Sequence, residues 1–478
     1  MGWLLKWASS APGIDWWRPG RPLRLATDCT GLAIPELAAR MLAGTNRKVQ
    51  DVFVCDVWSG SRRWLQLLSK LQPEHQLSDM NMRVWNPKTG NITTRNTVGD
   101  AVVINKDIAD LDIYICGFMC TPFTPNGDRK GWADENAKTF WSSLKTISTL
   151  RPRTFVLENV KGISNNGNFE IVENALKTLT SYIVVSVKLN SIDYGVPQHR
   201  PRIYIVGLRK DCVPKRLLEA SQTVLEKLVQ TRLAKHACPD KCEAFPAWLT
   251  QLGHPIHKNM QSEQSEQSQE SSEDHECTCD VKQTCDLHVC NCLQCRKFGA
   301  HKKKCLWRRT MLRHLKSAKV VIKKRAYLKQ WREVKKNPQL KNAPTYFTLA
   351  KRHGLNTTFI KKPCQICLLK VLSQTQNILH PNAVLNLGKT LGRNQFRKDG
   401  LVPTLGHGCT TMFLPGYSNF LKMPQMLCLT GLHPKSNAEE FKAAQSMTAK
   451  DMDLLMGNAM CLPVVGHVMA VALSLVTP

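Results

Sequence analysis

Short apolar runs that alternate with amphipathic segments constrain the fold of this chain more than any other feature of its sequence. The apolar runs in the first 210 residues are LRLATDC (23–29), DVFVCDV (51–57), LDIYICGF (111–118), TFVLENV (154–160), YIVVSVKLN (182–190) and PRIYIVGLR (201–209). The amphipathic segments, which predict helices, are IPELAARMLAG (34–44), KTFWSSLKTISTL (138–150) and EIVENALKTLTS (170–181). Near-continuous apolar strands that alternate with helices are typical of a mostly parallel sheet with helices on both faces. We therefore predict an α/β domain whose ligands lie beyond the carboxyl ends of the strands.

The composition changes after about residue 210, and apolar segments return after about residue 400. A polar low-complexity segment predicts a solvated linker, and a Cys/His cluster and a basic segment follow it. The run PVVGHVMAVALSLV (463–476) predicts a C-terminal helix. The predicted parts are a core at 20–210, an inserted region at 211–400 that holds the linker (261–276), the cluster (277–305) and the basic segment (302–337), and a return to the core at 401–478.

The charge and the cysteine content narrow the class of protein. A net charge of +29 and an isoelectric point near 9.6 indicate a polyanionic partner, nucleic acid before a membrane surface, with a role in solubility as the alternative. No stretch approaches the ~18–20 unbroken apolar residues of a membrane span, and Lys6 and Asp15 interrupt the N-terminal segment that a signal peptide would need. We expect an intracellular protein with no membrane partner, whose 19 cysteines are reduced and serve in metal binding or catalysis.

Cys120 follows the predicted strand IYICGF in a loop that glycine and proline punctuate, GFMCTPFTPNGDRKG (117–131). A thiol that lies near a helix start and near cations shifts toward the thiolate and becomes nucleophilic. A loop cysteine can equally be a packing residue. The position alone therefore leaves both interpretations open.

Glu158 and three later residues place polar side chains at the ends of neighbouring apolar runs. Glu158 ends such a run, where desolvation would raise its pKa enough for proton donation; a helix N-cap or a surface carboxylate is the alternative. Gln198, Arg200 and Arg202 occupy alternate positions at the entry to the last run. Alternate residues of a strand share one face, so the three side chains could converge on one planar ligand, although arginines at this spacing can also be surface charges.

Four segments in chain order resemble the signature motifs of the cytosine-C5 DNA methyltransferases: CGFMCTPFTPNGDRKG, VLENVKG, YGVPQHRPRIYIVG and LMGNAMCLPVV. Further similarity extends to TDCTGLAIPELA, FVCDVW, NKDIADL and PQMLCLTGLHP. The resemblance covers roughly residues 20–210 and 400–475. It implies a Rossmann-like, adenosylmethionine-dependent methyltransferase domain, with a smaller basic target-recognition domain in the inserted region. The family usually has Pro before the catalytic Cys and Gln after it, where this chain has Met119 and Thr121, which is typical of a divergent branch.

The resemblance implies a covalent reaction on cytosine. C5 of cytosine is too weak a nucleophile to attack a sulfonium methyl group, but addition of a thiolate at C6 makes C5 enamine-like. By resemblance Cys120 is this nucleophile, and Glu158 contacts ring N3 and the exocyclic amine. Arg202 would contact the base carbonyl, Arg200 would lie near the thiolate, and Gln198 would support the loop. Loss of the C5 proton and elimination of the thiolate then release the methylated base, which must be flipped out of a helix to react.

The resemblance also implies S-adenosylmethionine as the methyl donor. The residues that it assigns to the donor site are Cys29, Thr30, Gly31, Asp56, Val57, Asp107 and Asn458. The 29–31 loop would lie against the amino-acid part, Asp56 would accept hydrogen bonds from the ribose hydroxyls, and Val57 or Trp58 would pack on adenine. Asp107 would bind the adenine amino group, and Asn458 would close the site. A turn or capping role is the alternative for Asp56 and Asp107.

The inserted region contains a candidate metal site and a candidate nucleic-acid surface. The candidate zinc ligands are Cys277, Cys279, Cys285, His288, Cys290, Cys292, Cys295 and Cys305. They exceed the four ligands of one tetrahedral zinc, so two sites, one site with spare thiols, and free thiols all stay open. The isolated pair Cys364 and Cys367 favours helix packing. The basic segment fits phosphate contact, with Trp307, Tyr327 and Trp331 interleaved for stacking; a solvated helix face and nuclear import are the alternatives.

These observations together predict a monomeric enzyme that methylates C5 of cytosine in DNA. A transfer-RNA cytosine methyltransferase is the alternative within the same chemistry. A catalytically silent nucleic-acid-binding homologue is the alternative from another class, and the presence of Cys120, Glu158, Arg200 and Arg202 argues against it. We expect a nuclear protein if the source is eukaryotic and a cytoplasmic one otherwise.

Overall fold

The computed structural model describes residues 20–45, 47–123, 131–165, 167–219, 222–235, 243–260, 346–358, 360, 369, 378–387, 396–406 and 412–477. The predicted linker, the Cys/His cluster, the basic segment and the pair Cys364 and Cys367 lie outside these residues. Two compact units divide the described chain. The first takes the described residues of Met1–His254, Thr404–Thr410 and Lys422–Pro478, and the second takes those of Pro255–Pro403 and Thr411–Leu421.

The regular elements of the described residues follow in chain order. The strands are β1 (Leu23–Asp28), β2 (Val49–Cys55), β3 (His75–Leu77), β4 (Val84–Asn86), β5 (Asn91–Arg95), β6 (Ala101–Asn105), β7 (Ile113–Cys116), β8 (Thr154–Val160), β9 (Tyr182–Asn190), β10 (Gln198–His199), β11 (Pro201–Arg209), β12 (Val384–Asn386), β13 (Phe396–Arg397), β14 (Val402–Pro403), β15 (Met412–Leu414) and β16 (Asn419–Phe420). The helices are α1 (Ile34–Ala43), α2 (Ser59–Gln66), α3 (Lys106–Ala109), α4 (Lys138–Leu150), α5 (Asn168–Lys177), α6 (Lys215–Leu218), α7 (Gln222–Lys235), α8 (Phe245–Gln251), α9 (Tyr346–Arg352), α10 (Met423–Cys428), α11 (Ala438–Gln445), α12 (Ala449–Asn458) and α13 (Leu462–Ser474).

A seven-stranded sheet, counted over the described part of the chain, forms the centre of the first unit. Its strand order is β3-β2-β1-β7-β8-β11-β9. Within this sheet, β3, β2, β1, β7 and β8 run parallel to one another, and β11 runs antiparallel to both β8 and β9. The predicted α/β fold with a mostly parallel sheet is therefore confirmed. The chain order reverses between β1 and β7, so the carboxyl ends of these strands flank the crevice in which open α/β sheets bind ligands.

The central strands form because their side chains are buried on both faces. All four residues of β7 and the first six of β8 are buried. Helices α4 and α5 contribute Phe140, Ile147 and Val172 to a core that they share with Phe53 and Phe155 of the sheet. Gly207 in β11 leaves room for the Phe155 ring, because a Cβ there would lie 2.0 Å from that ring. Helix α13 packs along α1 and against β8 and β11. The apolar C-terminal run thus belongs to the core of the first unit.

A three-stranded antiparallel sheet, β4-β5-β6, is inserted between β3 and β7. Sequence patterning did not predict it, because its strands are short and Val84 and Val103 are exposed. The residue just before it, Arg83, lies with its side chain fully buried against the carboxylate of Asp28 at the end of β1. The insertion is therefore anchored at the crevice end of the large sheet.

The described residues of the second unit contain a small antiparallel sheet of order β13-β12-β15-β16. Tyr346 of α9 packs with Leu385 and Phe413 in its core and donates a hydrogen bond to the Pro415 carbonyl at 3.2 Å. No single helix among the described residues is long and apolar enough to cross a membrane. The helices α12 and α13 are long and apolar enough only when they are taken together, and they are bent by 41° at the break between them.

Candidate active site

Cys120 lies four residues beyond the end of β7, where a 3₁₀ turn (Thr121–Phe123) begins. Its carbonyl accepts a hydrogen bond from the Phe123 amide at 2.9 Å, and its side chain is half-buried. Burial raises the pKa of the Cys120 thiol; Arg202 and Arg200 lower this pKa, and Glu158 raises it. The net direction is upward. The expectation that nearby cations and a helix start push this thiol toward the thiolate is therefore wrong, because burial outweighs the two arginines.

Glu158 lies inside β8, the parallel neighbour of β7, and the residue is 8% exposed. Its position in the strand excludes the helix N-cap and the surface carboxylate that the sequence left open. Arg202 Nε donates to Glu158 Oε1 at 2.9 Å, and both side chains are nearly buried. Burial raises the pKa of Glu158, whereas Arg202 and Arg200 lower it. Gly117, three residues before Cys120, lies beside this pair: a Cβ there would be 3.5 Å from Glu158 Oε2, an ordinary contact distance, and 2.7 Å from the flexible end of Met460.

Arg200 is buried between β10 and β11, where the structure interrupts the single strand that alternate spacing predicted. Its guanidinium donates to the carbonyls of Leu405 at 3.0 Å, Gly457 at 3.2 Å and Ala459. Burial, and after it the neighbouring Arg202, lowers the pKa of Arg200 to about 10. Arg200 therefore ties the C-terminal segments of the first unit to the strand that carries Arg202, besides acting on the charge of Cys120.

Gln198 is 1% exposed, and its main-chain carbonyl accepts a hydrogen bond from Ser191 Oγ at 2.6 Å. Its Nε2 finds no hydrogen-bond partner within the described ranges of the chain. A buried amide without a partner is costly. Gln198 thus keeps a buried donor without a partner among the described residues, and its role in supporting the catalytic loop stays a prediction.

The loop after β1 and the end of β2 form a second cluster, at the predicted donor site. Cys29 and Gly31 both have positive φ, at 54° and 56°. Asp56 accepts hydrogen bonds from the Gly31 amide and the Trp58 amide, each at 2.9 Å. Burial raises the pKa of Asp56, and these two amides lower it. The loop is therefore held directly against the carboxylate that the sequence assigned to the ribose.

The side chains in and beside this loop differ in their burial. Thr30 Oγ1 lies 2.9 Å from Thr27 Oγ1 in the interior. The Cys29 thiol is hydrogen-bonded to Cys116, which, together with burial, raises its pKa well above the ordinary value. Val57, in contrast, is 67% exposed. A large exposed apolar side chain next to a polar loop is a suitable platform for a flat ring.

Two predicted donor-site residues lie at exposed element ends. Asp107 is in the first turn of α3 and follows β6 of the small sheet; its backbone amide donates a hydrogen bond to Oδ1 of the capping residue Asn105 at 2.7 Å. Asn458 is the exposed last residue of α12. The structure thus brings the 29–31 loop together with Asp56 and Val57, and its contacts do not extend this cluster to Asp107 or Asn458 within the described residues.

Several residues that support these clusters were not predicted. Ser61 Oγ donates to the Gly31 carbonyl at 2.8 Å. Asn159 Nδ2 donates to the Phe118 carbonyl at 2.9 Å, and Thr139 Oγ1 accepts from the Met119 amide at 3.0 Å. Their only signal in the sequence is a polar residue within an apolar segment. Such a signal says that a partner is needed and not which partner it is.

No group of three or more His, Cys, Asp or Glu side chains that could hold a metal occurs among the residues that the structure describes. The candidate zinc ligands from Cys277 to Cys305 lie outside them, so zinc binding there stays a prediction.

The sheet order and the polar clusters at its switch point define an α/β domain of the Rossmann-like methyltransferase class. The family model for the C-5 cytosine-specific DNA methylases matches residues 79–350, more than half of the chain, and the chain belongs to this family.

Curated relatives and a solved structure extend the comparison. The type II methyltransferase M.BsuFI of Bacillus subtilis is 39% identical over 117 residues, which are 24% of this chain and 28% of that protein. M.HhaI of Haemophilus parahaemolyticus is 37% identical over 117 residues, which are 24% of this chain and 36% of that protein. The chain thus matches about a third of the length of these relatives. A solved DNA modification methyltransferase encoded within an E. coli prophage is 15% identical, with 94% of this chain and 98% of that chain covered and a TM-score of 0.47.

Proposed function

We propose that this chain transfers a methyl group from S-adenosylmethionine to C5 of cytosine in DNA, through a covalent bond between Cys120 and C6 of a base held outside the helix. One observation supports this most strongly. Cys120 follows the carboxyl end of β7, and Glu158 lies near the carboxyl end of the parallel neighbour β8. Arg202, at the start of the antiparallel β11, is paired with Glu158, and both charges act on the pKa of Cys120. A nucleophile, a carboxyl and a planar donor at one edge are what the addition reaction requires.

Glu158 and Arg202 have the chemistry to hold the base. Because burial raises the pKa of Glu158, its carboxyl retains a proton more readily than an exposed one and can share it with ring N3 as charge develops. Arg202 uses two of its five N–H groups on Glu158 and the Pro201 carbonyl among the described residues. The remaining donors suit the base carbonyl oxygen.

The same pair controls the thiol. Arg202 lowers the pKa of Cys120, and the Glu158 carboxylate raises it. A Glu158 carboxyl that holds its proton does not raise this pKa, so Arg202 and Arg200 then act on the thiol without that opposition. The protonation state of Glu158 and the charge of Cys120 are therefore linked in this site.

The second cluster fits the methyl donor. Asp56 already accepts hydrogen bonds from two backbone amides and from Ser61, and a carboxylate has about four acceptor positions, so capacity remains for a ribose hydroxyl. The exposed Val57 offers an apolar surface for adenine, and the open space at Gly31 lets the backbone approach a ligand closely. Cys29 and Thr30 complete this loop. When bound, S-adenosylmethionine supplies a methyl group made electrophilic by its sulfonium.

DNA is the substrate that the description of the family favours. Transfer RNA is the alternative substrate, and a silent binding protein is the alternative without chemistry. A monomer is proposed as the active form, located in the nucleus of a eukaryotic source or in the cytoplasm otherwise.

A methyl-transfer assay separates these possibilities. The full-length chain is incubated with donor labelled in the methyl group and with duplex DNA or transfer RNA, and the digested nucleosides are separated. We expect labelled 5-methyldeoxycytidine from DNA, at least a thousandfold less with Cys120→Ala, and wild-type levels with Cys428→Ala, which removes a buried thiol in α10. Label in transfer RNA but not in DNA would show that transfer RNA is the substrate. Equal labelling by Cys120→Ala would exclude Cys120 as the nucleophile. No labelling of either substrate would contradict the proposal that the chain catalyses methyl transfer.

A further inference from the structure

The peptide unit between Phe118 and Met119 is held at both of its polar atoms by side chains. Its carbonyl oxygen accepts from Asn159 Nδ2 at 2.9 Å, and its N–H donates to Thr139 Oγ1 at 3.0 Å. Asn159 comes from β8 and Thr139 from the first turn of α4. Only the Met119–Cys120 peptide separates this unit from the Cys120 Cα, so fixing its orientation restricts the direction in which the Cys120 side chain leaves the backbone.

The Thr139 hydroxyl is committed to this contact. It is 6% exposed, and it donates its own hydrogen to the Asn136 carbonyl at 2.9 Å. With its one hydrogen used there, Oγ1 presents only lone pairs to Met119. The contact also depends on the residue at position 119, because a proline there has no N–H to donate. Met119 therefore replaces the fixed φ of proline with a side-chain hydrogen bond.

We propose that Thr139 is a positioning residue for the nucleophile: its hydroxyl fixes the Phe118–Met119 peptide and thereby aims the Cys120 thiol. This proposal rests on the proposed function of Cys120. A nucleophile displaced by a fraction of an ångström loses rate steeply, and no other change in the site is needed. Thr139 lies at the helix end that faces the loop, whereas the donor cluster involves β1 and β2. Its loss should therefore lower kcat and leave the KM for the methyl donor unchanged.

The test compares three substitutions in α4. Thr139→Val keeps the shape and removes the acceptor, and we expect kcat to fall about tenfold, equivalent to about 1.4 kcal/mol. Thr139→Ser keeps the hydroxyl and should recover most of that loss. Thr149→Val is the matched control, because Thr149 is equally buried in the same helix and its hydroxyl has no hydrogen-bond partner in the described ranges. Equal effects of the Thr139 and Thr149 changes on kcat would overturn the proposal.

A readout that does not require activity keeps this proposal separate from the proposed function. Iodoacetamide labelling is followed by peptide mass spectrometry at Cys120 and, as an internal control, at the buried Cys116. In Thr139→Val we expect severalfold faster labelling of Cys120 with Cys116 unchanged, because only the loop is released. An unchanged Cys120 rate would overturn the proposal even if the protein methylates nothing. Faster labelling of both cysteines would show general loosening and would also overturn it.

A double substitution tests whether a proline at position 119 can replace the Thr139 hydrogen bond in fixing this peptide. In Met119→Pro alone the ring carbon on the nitrogen would meet the hydroxyl that now lies 3.0 Å away, so we expect a large loss of activity and of Cys120 protection. Adding Thr139→Ala removes that hydroxyl and lets the proline fix φ instead. The double variant should therefore have a higher kcat than Met119→Pro and a slower iodoacetamide labelling of Cys120. If it is equal to or worse than Met119→Pro, the hydroxyl is not what holds this peptide.

Discussion

The buried ion pair between Arg83 and Asp28 gives the most quantitative prediction. Both side chains are fully buried; Arg83 Nη1 lies 2.7 Å from Asp28 Oδ2, and Nη2 is paired with Oδ1. Tyr114 donates to the same carboxylate at 2.5 Å, and the guanidinium lies 5.0 Å from the centre of the Phe53 ring. Burial lowers the pKa of Arg83, but Asp28, Cys55 and Tyr114 together raise it by more, so the charged form persists. Replacing Arg83 by Met leaves the carboxylate with one neutral donor.

The expected cost follows from this geometry. Removing one partner of a buried pair typically costs about 3–5 kcal/mol, because the other charge stays buried and uncompensated. At 1.36 kcal/mol per tenfold change, the protection of the β1 amides against hydrogen exchange should fall by about two to three and a half orders of magnitude. Adding Asp28→Asn removes the uncompensated charge, and the double variant should regain part of that protection.

Hydrogen exchange of peptides that cover β1, followed by mass spectrometry, measures this effect locally. Lys138→Met is the matched control, because it breaks an ion pair with Glu135 whose side chains are 63% and 84% exposed. That variant should not change the protection of β1. The reasoning is refuted if Arg83→Met loses less than about tenfold, or if Asp28→Asn restores nothing.

Three further predictions concern charge in the first unit. Arg200→Lys cannot reproduce a fork that serves three carbonyls, so it should lower the thermal midpoint by about 5 °C or more, and an unchanged midpoint would contradict that role. Because burial raises the pKa of Cys120 and Arg202 lowers it, the rate of Cys120 alkylation should rise with pH above neutrality, and Arg202→Met should move this profile to higher pH; a shift to lower pH would refute the assignment of cause. Burial raises the pKa of Glu36 to about 8, above the ordinary 4.5, so the folded state holds the proton more tightly and stability falls as the pH rises from about 4.5 to about 8. Glu36→Gln should therefore raise the thermal midpoint at pH 8 more than at pH 5, and an equal effect at both would contradict the linkage.

The elements that sequence patterning located best are long segments with a regular apolar or amphipathic pattern. The predicted runs 154–160, 182–190 and 201–209 coincide with β8, β9 and β11, and the segment 138–150 coincides with α4. In these elements the periodicity of burial and of the sequence is the same, so the pattern alone is sufficient. The predicted run 51–57 lies two residues later in the chain than the observed β2 at both ends. Asp56 and Val57 therefore follow β2 instead of ending it.

The remaining features depend on interactions that a sequence pattern does not record. The sheet β4-β5-β6 was missed because strands of three to five residues with exposed apolar side chains have no clear alternation. The carbonyls that Arg200 binds come from residues more than 200 positions away in the chain. The direction of the Cys120 pKa depends on the balance between burial and two cations, which only the folded geometry fixes. Sequence motifs could therefore select the candidate residues but not their electrostatic state.

The most direct measurement of the central claim is a covalent trap. A DNA duplex with 5-fluorocytosine at the target position is incubated with the chain and S-adenosylmethionine. After methylation, fluorine at C5 cannot leave as a proton does, so the thiol cannot be eliminated and the adduct persists. We predict a stable protein–DNA adduct whose mass includes one methyl group, mapped by peptide mass spectrometry to Cys120 and lost in Cys120→Ser. An adduct on another residue, or one that persists in Cys120→Ser, would contradict the account.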